Sequence, residues 1–138
     1  MRALGFSGGV RRAATGLWVI GAALATTAGV LSVAHAKVGY AFLYAVVAAA
    51  LAALAVATHR GHRRAQTITL VLFGSQLIGA VGAAWELAYG ADDTAKARHL
   101  HDLGFNYRVA LLTNLAFSTL AALVFIRAMF ERKGRPSP

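Results

Sequence analysis

The chain has 138 residues, of which 58% are hydrophobic and only 14% are charged, and its formal net charge is +9. Soluble domains have about 45–50% apolar and about 25% charged residues, so this composition indicates an integral membrane protein with a single domain over residues 1–138. The chain contains no cysteine, which excludes disulfides, thiolate metal sites and thiol redox catalysis. Its basic residues flank apolar segments instead of forming one stripe, so we expect no nucleic-acid partner.

Four apolar runs of about 20 residues are long enough for helices that cross a hydrocarbon layer about 30 Å thick. They are rich in alanine, leucine and valine, and they lack the alternation of polar and apolar residues that is typical of membrane β-strands. We therefore predict an all-α membrane protein, a bundle of four transmembrane helices in direct contact with the lipid bilayer. The predicted spans cover residues 13–34, 38–58, 68–89 and 107–130.

The first span has a competing interpretation as a secretory signal. Arg11 and Arg12 precede its apolar run, which ends near Ala34-His35-Ala36, a pattern typical of cleavage after Ala36. The run exceeds the length of about 7–15 residues that is usual for a signal peptide. Its length therefore favours an uncleaved helix, while cleavage stays open as the alternative.

Basic residues are concentrated at one end of the predicted bundle. With four spans, both termini and the second loop lie on the same side of the membrane. These segments hold ten of the fourteen lysines and arginines. Because such segments stay on the cytoplasmic side, we expect a protein of the plasma (inner) membrane with cytoplasmic termini and with residues 90–106 outside. Arg60, Arg63 and Arg64 of the second loop are expected to contact the headgroups of anionic lipids.

The loop of residues 90–106, between the third and fourth spans, is predicted to hold a short interfacial helix. Asp92 or Asp93 is suited to cap its first turn, and Gly104 is suited to end it. An apolar edge is expected to face the bilayer or the bundle. That edge consists of Ala97, Leu100 and Leu103.

Small residues on the third and fourth spans predict where these two helices pack, because close backbone approach drives helix association in lipid. Gln76 lies one residue off the face predicted for the third span, and it needs a hydrogen-bonding partner because an unsatisfied amide in hydrocarbon is costly. The predicted faces are Ser75, Gly79, Gly82 and Glu86 on the third span, and Ala110, Asn114, Ser118 and Ala121 on the fourth.

Aromatic residues lie near the predicted ends of the spans, where amphipathic rings prefer the headgroup level. Trp85 and Tyr89 fall near the expected outer end of the third span, and Trp18 falls near the expected inner end of the first. The alternative is that these rings fill packing space within the bundle.

Glu86 and Arg108 are the strongest candidates for a polar site. Glu86 lies about one turn inside the expected outer boundary of the third span, and Arg108 begins the fourth span at a comparable depth. We expect an ion pair between them that fixes the two helices, while binding of a cation or proton by Glu86 is the alternative. Gln76 and Asn114 are further candidates for this site, as intramembrane amides.

A metal site in the outer loop is not favoured. His99 and His101 are two residues apart, so on a helix they point to nearly opposite sides and cannot bind one ion. His99 with Asp102 has helical spacing, and Asp93 is a further possible ligand. We nevertheless expect solvated residues and local ion pairs here, and no cofactor.

The residues favour a non-enzymatic accessory or scaffold subunit that packs against itself or against a larger membrane complex. No phosphate-binding loop, nucleophile elbow or zinc-protease motif occurs in the chain, which gives no reason to expect an enzyme. The alternative is a small transporter or channel protomer that works as an oligomer, with Glu86, Gln76 and Asn114 along its path. A third hypothesis is a membrane enzyme that uses the outer loop.

Overall fold

Five helices make up the computed structural model, which describes residues 5–90 and 95–134. Four of them are long and apolar enough to cross a membrane, and the fourth in chain order is short. This confirms the prediction of four spanning helices with a short helix between the third and fourth spans. The elements are α1 (Gly8–Ala34), α2 (Val38–His59), α3 (Arg63–Tyr89), α4 (Ala95–Asp102) and α5 (Tyr107–Lys133).

The helix ends follow from residues with a local hydrogen-bonding or conformational role. The Ser7 side chain accepts a hydrogen bond from the Val10 amide at the start of α1, and the Asn106 side chain accepts two at the start of α5. Gly104 has φ +81°, which L-residues rarely adopt, and it ends α4 as predicted. The predicted caps of α4, Asp92 and Asp93, lie outside the described residues.

The bundle consists of two antiparallel pairs, α1 with α2 and α3 with α5, and the pairs contact one another less extensively. Glycines permit the close approach of α1 to α2. A Cβ atom on Gly21 would lie 3.3 Å from Leu51, and one on Gly29 would lie 3.4 Å from Tyr44. Because each pair is well packed internally, the less packed region lies between the pairs.

The two ends of the bundle differ in charge. At the basic end α1 and α3 begin and α2 and α5 end, and the Arg11 guanidinium lies within 4 Å of the position that a Cβ on Gly61 would take, in the α2–α3 turn. The opposite end, called the α4 end here, holds the α1–α2 turn and α4. Its described basic residues are Lys37, Lys96, Arg98 and Arg108.

The face that α3 presents to α5 differs in part from the predicted one. Gly79 does pack there, since its Cβ position lies 3.4 Å from the Ser118 hydroxyl, and both Ser118 and Ala121 are fully buried. Ser75 and Gly82 are exposed, however. The buried residues of α3 include Thr69 and Phe73, which contact Trp18 of α1, and Ala83, while Gln76 is half-buried.

Trp18 lies in the core of the bundle, where it fills packing space as the alternative interpretation of the aromatic residues has it. It is 4% exposed, and its ring centroid lies 4.9 Å from that of Phe73. Its indole N–H donates to Thr69 Oγ1 at 2.9 Å. By contrast, Trp85 and Tyr89 are exposed and pack against each other at the α4 end.

Candidate functional site

A cleft of about 770 Å³ lies between the two helix pairs, and all four long helices line it. This volume falls within the range of about 300–1,000 Å³ that is usual for small-molecule sites. The walls are mainly aliphatic and aromatic, and the cleft is open on one side. Five lining residues carry polar side-chain atoms, namely Trp18, Tyr44, Gln76, Thr113 and Asn114.

Two amide side chains meet on one wall of the cleft. The Ser118 hydroxyl donates to Gln76 Oε1 at 2.9 Å and lies 3.5 Å from Asn114 Oδ1. Gln76 is half-buried and Asn114 is exposed, and both line the cleft. Ser118 is therefore the hydrogen-bonding partner that the Gln76 amide needs. Among the described residues, no acceptor lies within hydrogen-bond distance of either amide nitrogen, so their N–H groups are available to a ligand.

Helix α4 covers the cleft at one end. Leu100, within this helix, and Phe105, just after it, line the cleft, while Ala97 and Leu103 are buried as the predicted apolar edge requires. His99 contacts α2 twice, since its Nε2 lies 3.1 Å from the Tyr44 hydroxyl and its ring lies 4.3 Å from that of Tyr40.

Ion pairs tie both ends of α4 to the bundle. At its start, Lys96 Nζ lies 3.3 Å from Glu86 Oε2 on α3. At its end, Asp102 Oδ2 lies 3.3 Å from Lys37 Nζ in the α1–α2 turn. Both pairs are partly exposed, so each contributes little stability alone, but together they position α4 over the cleft.

Glu86 is not paired with Arg108, which had been expected as its partner. Its Oε2 accepts hydrogen bonds from the Tyr107 hydroxyl at 3.0 Å and from Lys96. Arg108 follows Tyr107 in α5 and is exposed. Its backbone N–H donates to the side-chain oxygen of Asn106. The difference arises because the α5 face that meets α3 carries Tyr107, and Arg108 lies about 100° around the helix from it.

The candidates for a polar path are only partly brought together. Gln76 and Asn114 line the cleft, whereas Glu86 is not among the described residues that line it. Glu86 instead joins the end of α3 to the starts of α4 and α5. Sequence reasoning missed Tyr44 and Trp18 as lining residues, because nothing in their spacing indicates that a cleft lies beside them.

The weak candidates for a metal site have other partners. His99 contacts Tyr44, and Asp102 pairs with Lys37. No three His, Asp or Glu side chains within residues 5–90 and 95–134 are grouped so as to hold one ion. Asp93 lies outside that part of the chain.

The basic end exposes the arginines that were expected to meet lipid headgroups. Arg60, Arg63 and Arg64 lie around the α2–α3 turn and are exposed, and Gly61 adopts φ +80° there. The positive φ lets the chain turn sharply there, and the Arg11 guanidinium lies 3.7 Å from the position that a Cβ on Gly61 would take.

Comparisons of the chain with protein-family models, curated proteins and solved structures find no match.

Proposed function

We propose that this small multi-pass membrane protein is a non-enzymatic accessory subunit that binds a lipid-soluble ligand between its helices. The observation that carries this proposal is the cleft of about 770 Å³ between the two helix pairs. A cleft lined by apolar side chains with a few polar groups is the usual form of a small-molecule site. A single chain is then sufficient to bind the ligand. The protein's partner, a second copy or a larger membrane complex, contacts the outside of the bundle.

The chemistry of the two amides in the cleft supports binding in preference to catalysis. Gln76 and Asn114 are amides, which donate and accept hydrogen bonds but do not ionise near neutral pH. Ser118 donates its hydroxyl proton to Gln76, so no base activates its oxygen as a nucleophile. These side chains are suited to hold a neutral polar group and not to transfer protons.

The same cleft favours this proposal over an oligomeric transporter. A path between protomers would need polar groups along the surface where the protomers meet, whereas Gln76 and Asn114 line a cleft formed by helices of one chain. Glu86, the charged candidate for such a path, binds Lys96 and Tyr107 instead.

A cleft-filling substitution tests the proposal. Val47 of α2 lines the cleft, so Val47→Trp should place a large ring inside it. Val46 is adjacent and more exposed than Val47, at 51% against 39%, and it is not among the lining residues, so Val46→Trp adds the same ring outside the cleft. The native full chain, purified in mild detergent, is analysed by native mass spectrometry for bound lipids.

The proposal predicts a lipid adduct of one molecule per chain that Val46→Trp retains and Val47→Trp loses. An adduct that survives Val47→Trp, or the complete absence of adducts, would overturn it. The same preparation tests the accessory role, since a larger complex should elute with the chain on gel filtration. Elution as an isolated monomer from native membranes would contradict that part.

We further propose the plasma membrane as the location, with the basic end on its cytoplasmic side against anionic lipid. The exposed Arg60, Arg63 and Arg64 support this orientation because arginines near a membrane surface are attracted to negatively charged headgroups.

A further inference from the structure

We infer that the ligand of the cleft is a neutral isoprenoid quinone whose ring carbonyl accepts hydrogen bonds from the amides of Gln76 and Asn114. This inference rests on the proposed function and names the chemical class of its ligand. It follows from the depth of the amides, from the hydrogen bonds they can make, and from the side chains around them.

The depth of the amides in the membrane disfavours a ligand that would place a charged headgroup beside them. Gln76 is the central residue of the 27-residue helix α3. About 20 Å of helix therefore lies on either side of it, at 1.5 Å per residue. A phosphate or carboxylate at that depth would be costly to bury, whereas an uncharged ring enters hydrocarbon readily. Glycerolipid ester groups lie at the membrane interface, far from this position.

The free hydrogen-bonding capacity at this depth matches a carbonyl acceptor. Gln76 Oε1 already accepts from Ser118, which leaves both N–H donors of Gln76 for a ligand. Asn114 lies one helical turn from Ser118 on the same face of α5, and its oxygen is 3.5 Å from the same hydroxyl. Because one serine hydroxyl adjoins both amide oxygens, the two amides lie side by side, and we expect their N–H groups to donate to one ligand oxygen.

Aromatic side chains line the same cleft as the amides, which suits a planar ring. They are those of Trp18 and Phe117. Gly21 also lines the cleft, and a Cβ there would lie 3.3 Å from Leu51 and 3.7 Å from the Phe117 ring. Toward the α4 end the lining is mostly apolar, with Leu24, Leu43, Val109 and Phe105, which suits a prenyl chain.

Fluorescence of Trp18 provides the measurement, because quinones quench indole emission at short range. The chain has two tryptophans, so Trp85→Phe leaves Trp18 as the only one. This full-length variant is reconstituted in nanodiscs of phosphatidylcholine and titrated with decylubiquinone. We expect saturable quenching of Trp18 in this variant.

Removal of the donors should weaken binding without displacing other lipids. Gln76→Leu and Asn114→Leu should each raise the dissociation constant for decylubiquinone about tenfold, the equivalent of one lost hydrogen bond of about 1.4 kcal/mol. Ser75→Ala is the matched control, since Ser75 is adjacent to Gln76 but exposed, and its hydroxyl donates to the Leu72 carbonyl. It should leave the dissociation constant unchanged.

The outcomes separate this inference from the proposed function. The inference that the ligand is a quinone is overturned if quenching of Trp18 is not saturable. It is also overturned if the quenching is saturable but both leucine variants leave it unchanged. An adduct that has the mass of a phospholipid and is lost in Val47→Trp also overturns it, yet leaves a ligand-binding cleft in place. Since Gln76→Leu removes the partner of Ser118 and can disturb packing, the exposed Asn114→Leu provides the decisive result if the first variant unfolds.

Discussion

The indole N–H of Trp18 donates to the hydroxyl of Thr69 at 2.9 Å, and this bond joins α1 to α3 in the buried core. Thr69 Oγ1 also donates to the Ala65 carbonyl and lies 3.2 Å from Thr58 Oγ1 on α2. The Thr69 hydroxyl thus accepts hydrogen bonds from α1 and α2 and donates one within α3. Polar bonds of this kind are especially useful between apolar helices, which gain little hydrophobic free energy from association in lipid.

Thr69→Val should therefore destabilise the bundle, since valine keeps the shape but removes both interhelical bonds. We expect a loss of about 1–2 kcal/mol in the free energy of unfolding, at about 0.6–1 kcal/mol per bond. Unfolding in mild detergent, followed by circular dichroism, measures it. Thr67→Val is the matched control, because Thr67 is exposed and bonds only to the Arg63 carbonyl of its own helix. Equal losses for both variants would contradict a special role for Thr69.

Glu86 should be coupled to Lys96 and not to Arg108. In double-mutant cycles, Glu86→Gln with Lys96→Met should give a coupling energy below about 1 kcal/mol but above zero, as is usual for partly exposed ion pairs. Glu86→Gln with Arg108→Met should give no measurable coupling, because the structure places no contact between them. A larger coupling to Arg108 than to Lys96 would restore the pairing expected from sequence.

The same residue should control how firmly α4 is held. Because Glu86 binds both Lys96 and Tyr107, Glu86→Ala should loosen the start of α4 and speed trypsin cleavage at Arg98 several-fold. Tyr107→Phe removes only one of the two bonds and should have a smaller effect. Limited proteolysis of the folded protein, followed by mass spectrometry of the fragments, measures both rates. Unchanged cleavage in Glu86→Ala would show that other contacts hold α4.

Gly79 and Gly82 should respond differently to enlargement, although the sequence places them on one face. A Cβ on Gly79 would lie 3.2 Å from Gln76 Oε1 and 3.4 Å from Ser118 Oγ, whereas one on Gly82 would meet nothing within 4 Å. Gly79→Leu should separate α3 from α5 and cost about 1–3 kcal/mol in the free energy of unfolding. Gly82→Leu should be neutral or slightly stabilising, because leucine is a better helix former than glycine. Thermal unfolding of the two variants gives the comparison, and a similar loss in both would place Gly82 in the contact.

The spanning helices could be predicted from sequence because length and hydropathy alone specify them. The four predicted spans overlap the long helices, and Gly104 marks the end of α4. Rotation of a helix about its axis is harder to predict, since alanine-rich helices such as α2 offer many nearly equivalent faces. For α3 the small residues indicated a face of which Gly79 packs against α5 while Ser75 and Gly82 are exposed, because large side chains such as Phe73 also pack inward.

Sequence could predict only those residues of the site whose polar side chains need a hydrogen-bonding partner within an apolar span. Gln76 and Asn114 stood out as amides in apolar spans, and both line the cleft. The cleft itself arises from two helix pairs that pack better internally than against each other, a long-range property that no local spacing encodes. The Glu86–Arg108 prediction failed because a shared depth in the membrane fixes the height of two side chains but not the direction in which each points.

The orientation proposed for the bundle can be tested by cysteine labelling, since the natural chain contains no cysteine that would interfere. Arg98→Cys, on the exposed surface of α4, should react in intact cells with a maleimide that cannot cross the membrane. Arg64→Cys, at the basic end, should react only after the membrane is permeabilised. Both positions are exposed, so a difference in labelling reports the side of the membrane and not burial. The opposite pattern would invert the proposed topology and would place the exposed arginines of the α2–α3 turn on the side where positively charged loops are disfavoured.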